Sequence, residues 1–159
     1  MHRARRIAAG ALALVLGLSS AACGLSIPAD PDGTLASVTG GTLRVGYAPE
    51  PGLIADGGER PSGTLAEVVT GYARSIDAEV DWTLGSEESL ANDIARGDLD
   101  LAVGGFTESS PWTDLAALSR GFSPPEKPAD AQRSVVLLPL GENAMLSSFE
   151  TYIDAEGLT

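Results

Sequence analysis

The chain has 159 residues, of which 10 are Lys or Arg and 22 are Asp or Glu, and its formal net charge is −12. This length suits a single domain, the 43% of hydrophobic residues exclude a disordered acidic tail, and the negative charge argues against nucleic-acid binding. Because there is only one Cys, the chain has neither a disulfide framework nor a thiolate zinc site.

The first 22 residues have the pattern of a secretory signal peptide. Three Arg residues precede an uncharged apolar stretch that is too short to span a bilayer. The segment Ser20–Cys23 then resembles a bacterial lipobox, in which diacylglycerol is attached to the Cys. Ordinary secretory cleavage at the same bond is the alternative, and it would leave Cys23 as a free thiol. We expect residues 1–22 to be removed, and Cys23 to carry diacylglycerol and palmitate on the outer face of the bacterial cytoplasmic membrane.

Processing at this position changes the chemistry available to the mature chain. Cleavage would remove His2, the only His, and lipidation would consume the only thiol. Ser–His–Asp catalysis, Cys–His catalysis and imidazole ligation of a metal would then be impossible. We therefore expect a protein that is not an enzyme and that holds no metal and no cofactor.

Residues 23–41 indicate a flexible tether, and residues 42–159 alternate strand and helix patterns. Apolar periodicity predicts strands at 42–47, 79–84, 99–103 and 134–140 and helices at 64–76, 86–96 and 143–154. In the last helix, Leu146, Phe149 and Ile153 form the predicted buried face. Helices between such strands require parallel crossovers, so we expect an α/β fold: a single lobe with a mostly parallel open sheet of about four strands.

The acidic residues of the body do not have the spacing of a calcium loop, which needs alternating Asp residues, a Gly and a later Glu. No pair among them is selected by spacing for acid–base chemistry. We interpret them as a solvated acidic surface; the residues concerned are Asp77, Glu79, Asp81, Glu87, Glu88, Asp98 and Asp100.

One stretch of the body has a specific pattern: Ala95–Thr107, in which Gly97-Asp98-Leu99-Asp100-Leu101 precedes Gly104-Gly105-Phe106-Thr107. Together with 41–47, 65–76 and 80–82, it resembles the first lobe of bacterial extracellular solute-binding proteins of family 3, the amino-acid-type receptors of ABC importers. The resemblance implies half of a periplasmic-binding-protein-like fold. Such receptors normally have two lobes that close on a hinge. Because only residues 123–133 separate the pattern from the returning strand, we expect the second lobe to be missing.

The resemblance also has consequences for the ligand. In such receptors, the segment after the Gly-Gly turn usually presents Thr, a small hydroxyl residue and then Arg for the ligand carboxylate. Trp112 stands about where that Arg is expected, so bidentate carboxylate capture is lost. Glu108 and Asp114 further disfavour an anion. We expect a small neutral or cationic ligand, stacked on Tyr47 or Trp112.

The carboxyl ends of the strands locate the predicted site, because ligands of open α/β sheets bind beyond that edge. The predicted ligand-binding residues are Tyr47, Glu50, Gly105, Thr107, Glu108 and Trp112. Backbone N–H groups of Gly105 and Thr107 could orient a polar group. In the alternative interpretation, Thr107 and Ser109 only cap the turn, and Trp112 covers the face that a second lobe would have buried.

Three function classes remain, of which the third, an enzyme, is disfavoured by the loss of His and of the free thiol from the mature chain. The leading hypothesis is a lipid-anchored extracytoplasmic solute-binding module that serves a membrane transporter or sensor subunit. It would bind its ligand weakly or dock to its partner, and it would contact the membrane only through its lipid anchor. The alternative is an envelope interaction or structural lipoprotein that retains the fold but has lost ligand binding.

Overall fold

The computed structural model describes residues 30–128 and 130–159. The predicted signal peptide, Cys23 and the first part of the predicted tether lie outside these residues. Within the described ranges, no helix has the length and apolar character needed to cross a membrane.

A mixed, open sheet of five strands organises the fold. The strands are β1 (Thr42–Tyr47), β2 (Glu79–Leu84), β3 (Leu101–Val103), β4 (Ala117–Leu118) and β5 (Leu137–Leu138). In the order β2-β1-β3-β5-β4, the first three strands are parallel, whereas β5 is antiparallel to both of its neighbours. The predicted α/β lobe with an open sheet is confirmed. The additional strand is β4, whose two residues are too few to produce a periodic pattern in the sequence.

The described residues form four helices around the sheet: α1 (Thr34–Val38), α2 (Thr64–Ser75), α3 (Glu87–Ala95) and α4 (Asn143–Ala155). Helices α2 and α4 pack on one face, where Leu43, Val45 and Phe149 belong to the larger hydrophobic core. Helix α3 packs on the other face, where Leu90 and Phe106 belong to a smaller core. Burial on both faces explains why β3 is a continuous apolar run rather than an alternating one.

Helix α1 lies within the segment that the sequence assigned to the tether, and it buries Val38 against the larger core. Its start is held by Glu142, which is 1% exposed. The Glu142 carboxylate accepts hydrogen bonds from the backbone N–H groups of Asp32 and Thr34, at 3.0 and 3.1 Å. The nearby Asp30 carboxylate accepts the Leu35 N–H at 3.4 Å, and Glu142 satisfies two further N–H groups of the helix start from 108 residues away.

This contact makes the stability of the fold depend on pH. Burial alone would raise the pKa of Glu142, but hydrogen bonds from Asp30 and from the N–H groups of Asp32 and Thr34 lower it to about 2. Because this pKa lies below the ordinary value of 4.5, Glu142 contributes stability that is complete above that pH. That contribution is lost as the pH falls toward the folded-state pKa. Burial and the neighbouring Glu142 raise the pKa of Asp30, so the contribution of Asp30 has the opposite sign.

Glu142→Gln is therefore expected to lower the free energy of unfolding near neutral pH, and this deficit should shrink as the pH falls from about 5 to about 2. The measurement is urea unfolding across that range in an Asp30→Asn background, which removes the opposing titration. Glu59→Gln, at an exposed loop position, is the control and should show no such trend. A deficit that stays constant with pH would contradict the capping role.

Candidate functional site

A pocket of about 470 Å³ opens at the carboxyl ends of the parallel strands. One wall consists of the turn after β1, from Glu50 to Leu53, and the turn after β3, from Gly104 to Thr107. The other lining residues belong to the connecting segment, which we define as residues 123–128 and 130–133, and to Ser134. The volume lies in the range of small-molecule sites, and the position is the one expected for open α/β sheets.

Backbone geometry brings the two turns together. After β1, the Glu50 N–H donates to the Ile54 carbonyl at 2.8 Å, and Gly52 adopts a φ of 80°, which favours glycine. After β3, a Cβ at Gly104 would lie only 3.0 Å from the Ala48 carbonyl oxygen. A side chain at Gly104 would therefore push the ends of β1 and β3 apart.

Two carboxylates converge on Gly105 at the bottom of these turns. A Cβ at Gly105 would lie 2.8 Å from Glu50 Oε2 and 2.7 Å from Glu87 Oε1, so a larger residue would displace them. Glu87 is in the first turn of α3, where Ser86 caps the helix by accepting the Ser89 N–H at 3.2 Å. In the described ranges, neither carboxylate takes part in an ion pair. Two adjacent unpaired carboxylates favour a cation beside them.

A basic side chain of the connecting segment lines the pocket. Lys127 Nζ donates a hydrogen bond to Ser134 Oγ at 2.9 Å. Burial lowers the pKa of the Lys127 ammonium, and the negative charge of Glu50 partly compensates by raising it. The charged residues that line the pocket are therefore Glu50 on its strand side and both Lys127 and Glu126 in the connecting segment.

Three of the six predicted site residues line this pocket: Glu50, Gly105 and Thr107. The N–H of Thr107, which was expected to face a ligand, donates to Ser110 Oγ at 2.9 Å instead. The Thr107 hydroxyl lies 3.0 Å from Ser109 Oγ. The side chain that accepts a backbone N–H of this turn is thus that of Ser110, and the capping role considered for Thr107 and Ser109 stays a prediction.

The aromatic residues of the prediction lie outside the pocket. Tyr47 is 3% exposed, its ring meets Trp82 edge to face at 5.9 Å between centroids, and its hydroxyl donates to Asp56 at 3.1 Å. Burial, together with Asp56, raises the pKa of Tyr47. Trp112 packs against the smaller core, and its buried indole N–H has no partner among the described residues. Glu108 is exposed and approaches Gly121 instead.

Two residues of the pocket region were not predicted as ligand-binding. Glu87 follows β2 at the same carboxyl edge as Glu50, so the rule that located Glu50 could have found it, but Glu87 was assigned to the solvated surface. Lys127 has no comparable signal. Its segment contains no periodic pattern, and only the path of the chain places it over the pocket.

No protein-family model and no curated protein matches this chain. Solved structures do match. The arginine-bound form of domain 1 from TmArgBP has a TM-score of 0.62 and 14% identity, and the match covers 72% of this chain and 92% of that one. An amino acid ABC transporter substrate-binding protein from Streptococcus pneumoniae, bound to L-arginine, has a TM-score of 0.63 and 10% identity, covering 79% of this chain and 93% of that one.

A third match is the ancestral amino-acid-binding protein AncCDT-1, with a TM-score of 0.63 and 9% identity, covering 79% of this chain and 95% of that one. Likeness at such low identity concerns the fold. The described part of the chain therefore has the fold of a single lobe of the amino-acid-type solute-binding proteins, as the resemblance in its sequence predicted.

Proposed function

We propose that the protein is an extracytoplasmic solute-binding module, lipid-anchored at Cys23, that serves a membrane transporter and binds a small cationic ligand in the pocket at the strand ends. The anchor rests on the sequence pattern at Ser20–Cys23. The transporter partner rests on the fold, because the S. pneumoniae protein of the same fold is a transporter's substrate-binding protein.

The observation that carries the ligand class is the convergence of Glu50 and Glu87 on Gly105. A cation in the pocket beside Glu50 gains a charge-assisted hydrogen bond, and the nearby negative charge of Glu87 attracts it further. Neutral ligands gain less from this arrangement. The half-open pocket also favours weak binding, since tight sites enclose most of the ligand.

The solved structures support basic amino acids as the first compounds to test. Domain 1 from TmArgBP binds arginine as a single domain, and the S. pneumoniae protein is bound to L-arginine. AncCDT-1 is described as a cationic amino acid solute-binding protein. One lobe of this fold is thus able to hold a cationic amino acid without its second lobe.

The test is a thermal-shift screen of the purified full-length chain with basic amino acids, polyamines and choline-like cations, followed by calorimetric titration of the compounds that raise the melting temperature. We expect a basic amino acid to bind and Glu50→Gln to weaken it about tenfold, since one charge-assisted hydrogen bond is lost. Glu88→Gln is the matched control. It removes an equal charge from an exposed position next to Glu87 and should leave the affinity unchanged.

Two results would contradict the proposal. If no compound of the screen shifts the melting temperature, the protein fits the alternative of an envelope lipoprotein that retains the fold without ligand binding. If Glu50→Gln and Glu88→Gln weaken binding equally, binding of the ligand depends on the net charge of the protein and not on this pocket.

The lipid anchor has a separate test. Mass spectrometry of the mature N-terminus is expected to show cleavage before Cys23 and the added mass of diacylglycerol and an amide-linked acyl chain. An unmodified Cys23 at the mature N-terminus would contradict the anchor and indicate ordinary secretory cleavage.

A further inference from the structure

The connecting segment separates the first-lobe pattern from the returning strand, where the resemblance implies the second lobe of a two-lobed receptor. Residues Glu126, Lys127 and Pro128 and the later Ala131 and Gln132 face the two strand-end turns across the pocket. An antiparallel bridge between Phe122 and Ser134 joins the two ends of the segment to each other, and a second bridge joins Ser134 to Thr107 in the turn after β3. The segment therefore provides the second wall of the pocket from within the lobe.

Lys127 is the only basic residue among the described residues that line this pocket. Its ammonium has three donors, of which one is used by Ser134 Oγ at 2.9 Å. No carboxylate of the described residues lies within ion-pair distance of this ammonium, although the negative charge of Glu50 acts on it from farther away. A half-buried ammonium without a carboxylate in direct contact favours a ligand that brings one.

We infer that Lys127 binds the carboxylate of the ligand, while Glu50 binds its cationic group with the negative charge of Glu87 nearby, so that the pocket selects a basic amino acid over the corresponding amine. This inference rests on the proposed function and narrows its ligand class. In it, the connecting segment performs the anion recognition for which no Arg is present at Trp112.

The test compares L-arginine with agmatine, which has the guanidinium and the amine but no carboxylate. Agmatine has the higher positive charge, so a pocket that responded only to Glu50 and Glu87 would favour agmatine. We expect the full-length chain to bind L-arginine more tightly in calorimetric titration. Lys127→Met should weaken the affinity for L-arginine about tenfold to a hundredfold and should change the affinity for agmatine by less than about threefold.

Two further variants control for folding and for net charge. Lys127→Arg keeps a cation at this position and should retain most of the preference for L-arginine. Arg60→Met removes a positive charge from an exposed loop outside the pocket and should leave both affinities unchanged.

The remaining outcomes overturn the inference in distinguishable ways. If Lys127→Met strengthens the binding of both compounds, the Lys127 ammonium competes with the cationic group of the ligand and does not bind the ligand carboxylate. If the unmodified chain binds agmatine as tightly as L-arginine, only this inference fails. If neither compound binds and no other cation of the screen does, the proposed function fails together with it.

Discussion

Phe149→Ala is expected to lower the free energy of unfolding by about 3–5 kcal/mol, the cost of removing a large aromatic side chain from a close-packed core. Phe149 is completely buried. The centroid of its ring lies 5.2 Å from the ring centroid of Tyr72 on α2 and 5.7 Å from that of Phe122, and the geometry is edge to face with both. The substitution removes both aromatic contacts and leaves a cavity between α4, α2 and the sheet.

Urea unfolding followed by circular dichroism measures this loss. Thr151→Ala is the matched control, because Thr151 lies on the exposed side of the same helix and should change the stability by less than about 0.5 kcal/mol. If Phe149→Ala and Thr151→Ala were equally mild, α4 would not be an integral part of the core.

Asp100→Ala is the second substitution with a large expected effect, a loss of about 2–3 kcal/mol of stability. The Asp100 side chain is 4% exposed and receives three hydrogen bonds from Arg44. The backbone N–H of Arg44 donates at 2.9 Å, its Nε at 3.0 Å and its Nη2 at 2.5 Å. These contacts fasten β1 to the start of β3 at the edge of the sheet opposite the pocket.

The expected loss of stability for Asp100→Ala is below the usual cost of breaking a buried ion pair. The reason is that the Arg44 side chain is 45% exposed, so water can solvate the guanidinium after the substitution. The loss comes mainly from the hydrogen bonds that Asp100 accepted. Asp98→Ala is the control: Asp98 pairs with Arg96 at the surface, where both side chains are largely exposed, and its loss should be hardly measurable. Equal losses for the two substitutions would show that Asp100 contributes no more than a surface charge.

The two substitutions differ in how far the sequence predicted their effect. The helical spacing of Leu146, Phe149 and Ile153 predicts the buried face of α4, and Phe149 and Ile153 are indeed fully buried. Asp100 was assigned to the solvated acidic surface, and this was wrong. Local spacing does not reveal the pair, because Arg44 lies 56 residues away and reaches Asp100 only through the parallel register of β1 and β3.

The same distinction applies to the candidate site. The rule for open α/β sheets located Glu50, Gly105 and Thr107, because it depends only on which residues follow parallel strands. It did not show that Tyr47 turns into the core toward Trp82 or that Trp112 packs on the α3 side. Those directions follow from the pleat of β1 and from the path of an irregular loop, which short periodic patterns do not encode.

The sequence by itself determined the order of the helices and strands apart from α1 and β4, the open α/β lobe, and the edge of the sheet at which the pocket opens. Periodic burial and strand-to-helix alternation are local properties, so they can be recognised from the sequence without a structure. Only the tertiary structure decided that Glu87 joins Glu50 at Gly105 and that Lys127 faces them from the connecting segment. Such contacts join distant parts of the chain, and their geometry exists only after the sheet, the helices and the connecting segment have packed together.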